Sequence, residues 1–257
     1  MDSYAEITAL LSTNPVAAVS RLRTAAQRGD AQAQLALGQL LINGVGTRLD
    51  IREALSWFLI AADAGVPMAM NMLGRCHEYG FGVPVDYVQA ACWYLRAAHL
   101  DCDWAIYNYA QLLAHGRGVE RNRAAAFRWF GLAASRGHAR AMNFLGLYHE
   151  HGWETPVDSA AAFNWYRRSA EAGDYRGQCS YASVLAEQGS MEDALHWLRC
   201  AAKTATPRFL TQLAVVLKQS SYEALRAFAD ELRTSSQSSG DCHGPASRAL
   251  GALAGRR

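Results

Sequence analysis

Apolar and small residues recur along this chain in paired blocks, each about a dozen residues long and separated by glycine-containing turns. In the first block of a pair a small residue is followed, four positions on, by Leu-Gly or a variant. The instances are Ala33 with Leu37-Gly38, Ala69 with Leu73-Gly74, Ala105 with Tyr109-Ala110 and Ala141 with Leu145-Gly146. Spacings of three and four share one face of an α-helix, so these blocks read as helices whose small residues admit a close neighbour. The second block opens on Asp50, Asp86, Asn122 or Asp158. Such side chains cap helix N-termini, and Glu53 and Gln89 stand where a capping box places its partner. Ala-x-x-Trp follows: Ala54 with Trp57, Ala90 with Trp93, Ala126 with Trp129 and Ala162 with Trp165. A tryptophan buries on the order of 150–250 Å², so each is expected to fill much of one core layer.

The pairs are periodic. Gly44, Gly80, Gly116 and Gly152 stand 36 residues apart, as do the four tryptophans. Self-similarity at this period marks a stacked array, because no single helical pair can bury its apolar face alone. Full copies span 30–65, 66–101, 102–137 and 138–173. A fifth, 174–202, keeps Tyr181-Ala182 and Ala194-x-x-Trp197 with a shorter turn, and Ser190 with Asp193 offers its cap. Residues 1–29 read as N-terminal capping helices over 4–11 and 15–28, the second opening at Asn14-Pro15 and stopping at Gly29. There Arg21 stands where a full copy has tryptophan. Residues 203–233 read as a C-terminal capping pair without tryptophan, over 207–217 and 222–233. The serine-rich start of 234–257 reads as a flexible tail.

Leu-Gly, Gly80-Phe81-Gly82-Val83 and Gly116-Arg117-Gly118-Val119, the capping Asp, Trp93-Tyr94 and Trp165-Tyr166, and Ala97-Ala98, at this period over about 15–202, resemble the Sel-one-like repeat family, relatives of the tetratricopeptide repeats. The resemblance implies an all-α fold: an α/α superhelical solenoid of about five 36-residue helix-turn-helix repeats, capped by helices at both ends. It further implies that the first helices line a concave face, and that the protein is a bacterial adaptor rather than an enzyme. The chain departs from the pattern at Gly152-Trp153-Glu154-Thr155, where the second turn glycine is lost. Trp153 reads there as a plug for the turn rather than as an exposed contact.

Composition narrows the function. Hydrophobic residues make up 51% and charged residues 19%, enough for a continuous core. A net charge of +2 projects no field towards nucleic acid. No run of about eighteen apolar residues exists, so no membrane span is expected. The N-terminal stretch carries Asp2 and Glu6 and lacks the basic region of a secretory signal, which points to the cytoplasm. Six cysteines without a C-x-x-C pair read as small buried residues in a reducing compartment, the alternative being a bridge between Cys92 and Cys102 across one turn.

With the first helices lining a groove, the positions facing a protein or peptide partner are Arg75, Glu78, Tyr79, Trp104, Tyr107, Gln111, His115, Arg140, Asn143, Glu150, His151 and Arg176. Tyr, Trp and Arg are the residue types that dominate protein-binding energetics. Trp104 is the sharpest case, lying outside the apolar stripe of its helix. The resemblance puts His77 and His149 where the family has a core tyrosine, so both read as packed imidazoles. His115 and His151 occupy one position in successive copies, and a regulatory or accessory subunit of a metal-dependent enzyme is the alternative reading. No H-E-x-x-H, paired cysteines, G-x-S-x-G or strand-borne phosphate loop accompanies them. No metal, cofactor or catalytic residue is therefore expected, and the chain should act as a monomer or weak homo-oligomer.

Overall fold

A computed structural model of the chain describes residues 4–236. Among them are fourteen α-helices and no strand. In order these are α1 (Tyr4–Thr13), α2 (Pro15–Gln27), α3 (Ala31–Asn43), α4 (Ile51–Asp63), α5 (Pro67–Tyr79), α6 (Tyr87–His99) and α7 (Asp103–His115). There follow α8 (Arg123–Ser135), α9 (Ala139–His151), α10 (Ser159–Glu171), α11 (Tyr175–Glu187), α12 (Met191–Thr204), α13 (Pro207–Lys218) and α14 (Glu223–Ser236). The last helix continues three residues into the segment expected to be tail, and the remainder of that segment, 237–257, lies outside the described residues. The chain forms two compact units, 1–129 and 130–257, whose boundary falls within α8. In the first unit each helix from α1 to α7 packs on the next, and α5 also meets α7. In the second, α9 to α12 pack in succession, α9 meets α11, and α13 pairs with α14.

The caps work as the sequence suggests, with two differences. Asp50 Oδ1 accepts from the Glu53 N–H at 2.9 Å, Asp86 Oδ1 from Val88 and Gln89, and Asp158 Oδ1 from Ala161. The second half of the capping box does not form. The Asp50 and Asp86 N–H groups that Glu53 and Gln89 would satisfy already donate to Leu41 and His77 carbonyls of the preceding helix. Glu53 turns instead to Arg23 and to the Trp57 indole, whose Nε1 donates to its Oε1 at 3.1 Å. Ser190 likewise makes no side-chain cap, while its N–H donates to the Leu185 carbonyl.

The indoles are not the core. Trp57, Trp93, Trp129, Trp165 and Trp197 are half-buried, and the residue after each, Phe58, Tyr94, Phe130, Tyr166 or Leu198, is 0–2% exposed. These side chains explain the Leu-Gly pairs. A Cβ on Gly38 would lie 2.5 Å from the Phe58 ring, and one on Gly74 2.5 Å from the Tyr94 ring. Glycine is the seat on which the partner helix sets its aromatic ring. Two of the indoles carry a guanidinium instead: that of Arg96 lies 4.4 Å over Trp93, and that of Arg168 lies 4.4 Å over Trp165.

Two of the five core residues are tyrosines, and each phenol is met by a carboxylate sixteen residues earlier. Tyr94 donates to Glu78 Oε2 and Tyr166 to Glu150 Oε2, both at 2.7 Å. Where the core residue is Phe58, Phe130 or Leu198, the equivalent first-helix position holds Ile42, Ala114 or, across the shorter turn of the fifth copy, Ala186. Hydroxyl and carboxylate are present together or absent together, as a buried phenol requires.

The departure at Gly152-Trp153-Glu154-Thr155 leaves the turn intact. Gly46, Gly82 and Gly118 have φ of +66°, +71° and +66°, and Glu154, at the corresponding place, has φ +59°. A residue with a Cβ thus holds the left-handed conformation, at a cost of about 1–2 kcal/mol. Trp153 packs edge-on against Tyr148 at 5.6 Å and lies 4.7 Å from the His151 ring, so it lines its own turn.

Candidate interaction surface

In the first unit the candidate residues fall on the first helices α5 and α7, which pack on each other. A side-chain bridge joins them: Asn108 Nδ2 donates to Asn71 Oδ1 at 2.9 Å, and Asn71 is only 3% exposed. Around this bridge Trp104 is 40% exposed and Tyr79 57% exposed, while Arg75 and His115 are also at the surface. Tyr107 and Gln111 are half-buried, and the Gln111 Nε2 is enclosed without a hydrogen bond. The Arg75 guanidinium rests 3.7 Å from the Met72 sulfur, and the Tyr79 ring lies 5.8 Å from Phe81. Indole, phenols and guanidinium therefore line one helical face that its own hairpins leave open.

Glu78 does not belong to that open face in the expected sense. Its carboxylate is the acceptor for the buried Tyr94 hydroxyl, and burial together with that negative charge pushes the Tyr94 phenol far above its ordinary value. Tyr94 stays a neutral donor at every physiological pH.

The second unit corrects more of the expectations. Asn143 is 2% exposed, so it cannot contact a partner from where it stands; its Oδ1 is enclosed and accepts no hydrogen bond. The cause is visible in the repeat. Asn71 meets Asn108, whereas the position equivalent to Asn108 one copy after Asn143 is the shorter Ser180. Glu150 holds Tyr166 as Glu78 holds Tyr94, and lies 3.7 Å from His151 Nε2. His151 itself is exposed but stacked on Trp153. Arg140 Nε sits 3.6 Å from Asp174 Oδ1, and the Arg176 guanidinium lies 4.7 Å over the Tyr175 ring. These arginines brace the start of α11. Asp174, buried and capping that helix through the Gly177 N–H, has its carboxyl pushed up by burial against the opposing pull of that N–H and of Arg140.

The histidines at 77 and 149 are half-buried. No group of three or more His, Cys, Asp or Glu among the described residues is placed to hold a metal ion. The described cysteines are free, including Cys92 and Cys102, so the bridge between them does not form. Cys76, Cys102 and Cys179 are buried, whereas Cys92 is exposed and Cys200 half-buried. Burial pushes the Cys76 thiol up to about 11, which leaves it inert as a nucleophile. No helix among the described residues is long and apolar enough to cross a membrane.

A succession of hairpins built from thirteen-residue helices, with glycine ring-seats, defines an α/α repeat protein. The family model described as Sel1 repeat matches residues 31–66, 67–102, 105–138, 139–174 and 186–203, and the chain belongs to that family. Sel1 repeat proteins are generally protein-interaction scaffolds, and their fold is typically non-enzymatic. Solved structures agree. A Sel1 repeat protein from Oxalobacter formigenes is 24% identical with a TM-score of 0.75, covering 91% of this chain and 100% of its own. The protein c5321, a protective antigen of uropathogenic Escherichia coli strains with an SLR fold, is 29% identical with a TM-score of 0.61. That match covers 88% of this chain and 50% of c5321, so this chain spans half its length. The immunity protein Pa5087 from Pseudomonas aeruginosa is 17% identical with a TM-score of 0.56, covering 81% and 83%. No curated protein matches the chain.

Proposed function

We propose that this protein is a non-enzymatic adaptor that holds a protein or peptide segment on the first-helix face of its repeats. Within the first unit the face of α5 and α7 carries the contact. The observation behind this reading is Trp104, an indole 40% exposed on a helix face already bridged by Asn71 and Asn108. An exposed indole beside tyrosine and arginine has the composition of a binding hot spot. Glu78, Glu150 and Asn143 are left out of the contact set, because the fold itself uses or encloses them.

Affinity capture from cells that produce the protein, followed by mass spectrometry, tests the reading when wild type is compared with Trp104→Ala/Tyr107→Ala. The variant should retain its helical circular dichroism and lose a protein that wild type captures. An unchanged set of captured proteins with the fold retained would sink the assignment.

A further inference from the structure

A second surface runs along the turns that join first to second helices in the first unit. The turn before α4 exposes Val45 (42%) and Leu49 (55%), and the turn before α6 exposes Phe81 (38%) and Val85 (54%). The first two residues of α6, Tyr87 and Val88, are exposed by 36% and 56%. Close packing of each turn on the start of the preceding second helix joins these turns along one edge. A Cβ on Gly82 would lie 2.7 Å from Leu55 and 2.8 Å from Ile51, at the start of α4. One on Gly118 would lie 2.1 Å from the Tyr87 carbonyl carbon at the start of α6. The Arg117 guanidinium is 5.8 Å over the Tyr87 ring.

Charge on this edge is arranged around the apolar centre. The places held by Pro84 and Val88 in the middle copy are held by Arg48 and Arg52 in the copy before it. Those held by Phe81 and Val85 become Arg117 and Arg121 in the copy after it. All four arginines are exposed, and among the described residues none of them forms an ion pair. Of the acids nearby, Asp50 and Asp86 are occupied as helix caps, and Glu120 is exposed beside Arg121. An apolar strip is thus bracketed by a pair of guanidinium groups on either side.

We propose that this edge docks an extended peptide segment with an apolar centre and a carboxylate at each end. Neighbouring helices pack about 8–10 Å apart, so two copy-to-copy steps separate the arginine pairs by about 16–20 Å. At about 3.3 Å per residue that distance is spanned by five or six extended residues. The guanidinium fork takes a carboxylate through two parallel hydrogen bonds, which fixes register as well as sign. A second copy of this chain would bring arginine against arginine. An anionic bilayer would meet Glu120 and the capping aspartates on the same turns as the arginines. A peptide with spaced carboxylates avoids both conflicts. This surface adjoins the first-helix face where Phe81 meets Tyr79, but its variants and Trp104→Ala/Tyr107→Ala change different residues, so the two readings are tested independently.

The test is selection of a random 16-residue peptide library displayed on phage against the full chain, with enriched peptides measured by fluorescence anisotropy. Enriched sequences should carry acidic residues on both sides of an apolar centre of five or six positions. Their affinity should fall at least tenfold with Arg52→Glu/Arg121→Glu and with Phe81→Ser/Val85→Ser, and should weaken with salt. It should be unchanged with Trp104→Ala/Tyr107→Ala. No enrichment, peptides without flanking acids, or indifference to the arginine pair would each overturn the proposal. So would binding of the wild type to phosphatidylserine vesicles that the same arginine variant abolishes, or an arginine-dependent dimer in light scattering.

Discussion

Two helical glycines in the second unit should respond to the same substitution with opposite signs. A Cβ on Gly131 in α8 would meet nothing within 4 Å, whereas one on Gly146 in α9 would lie 2.3 Å from Tyr166 Cε1 and 2.5 Å from Cδ1. Gly131→Ala therefore gains only helix propensity, about 0.8–1.0 kcal/mol, and should raise Tm by about 2–4 °C for a chain of this length. Gly146→Ala gains the same amount but forces the ring back by roughly 1 Å to reach ordinary van der Waals separation. Tyr166 is 2% exposed and tethered at its hydroxyl by Glu150, so it has no free direction to move. The overpacking cost should fall near the upper end of its usual range, about 3 kcal/mol. The net loss is then about 2 kcal/mol, or roughly 4–8 °C in Tm. The fifth repeat supplies a rescue, since Ala182 and Leu198, both 0% exposed, hold the equivalent places. Gly146→Ala with Tyr166→Leu should lose less than the sum of its single changes by at least about 1 kcal/mol. Thermal and urea unfolding followed by circular dichroism measure all four proteins. A Gly146→Ala protein that melts above wild type would refute the ring-seat argument.

Two further predictions concern backbone strain and a buried charge. Glu154→Gly should stabilise by about 1 kcal/mol, the relief of a left-handed side-chain residue less glycine's greater freedom when unfolded; an unchanged or lower urea midpoint would count against strain at the turn. Asp174→Asn keeps the capping oxygen and removes a carboxylate whose folded-state affinity for protons is raised by burial. A raised acid favours folding only while protonated. That contribution is complete below the unfolded value of about 3.9 and lost as pH climbs through the higher folded one. The Asn variant should therefore be the more stable at pH 7, with its advantage gone by about pH 3.5, and lower stability at pH 7 would reverse the sign of the argument.

The repeat, its helices and its caps were legible because period, capping aspartate and turn glycine are local signals. The identity of the core residue was not. Trp57 and Phe58 stand three and four positions after Ala54, and both spacings fall on one helical face. Only the aromatic ring over Gly38 distinguishes them, and that contact crosses between helices. The same limit misassigned Glu78 and Glu150: a carboxylate on a first helix reads as solvent-facing until the tyrosine sixteen residues on is known to be buried. Asn143 failed for the converse reason, since its burial depends on how the next first helix lies across it. Arg75, Tyr79, Trp104 and His115 are exposed, as their place on the helix period away from the small-residue face suggests. The turn edge with Phe81 and Val85 was passed over, although apolar residues inside a glycine turn were its signal.

The tyrosine–carboxylate link also carries a record of ancestry. Copies two and four share Asn71 and Asn143, His77-Glu78 and His149-Glu150, Pro84-Val85-Asp86 and Pro156-Val157-Asp158, and Trp-Tyr, while copies one and three share Trp-Phe. Such a double beat is what duplication of a two-hairpin segment leaves behind, not tandem copying of one. A gene losing one such segment would still encode alternating hairpins, and the hydroxyl would never be parted from the oxygen that receives it.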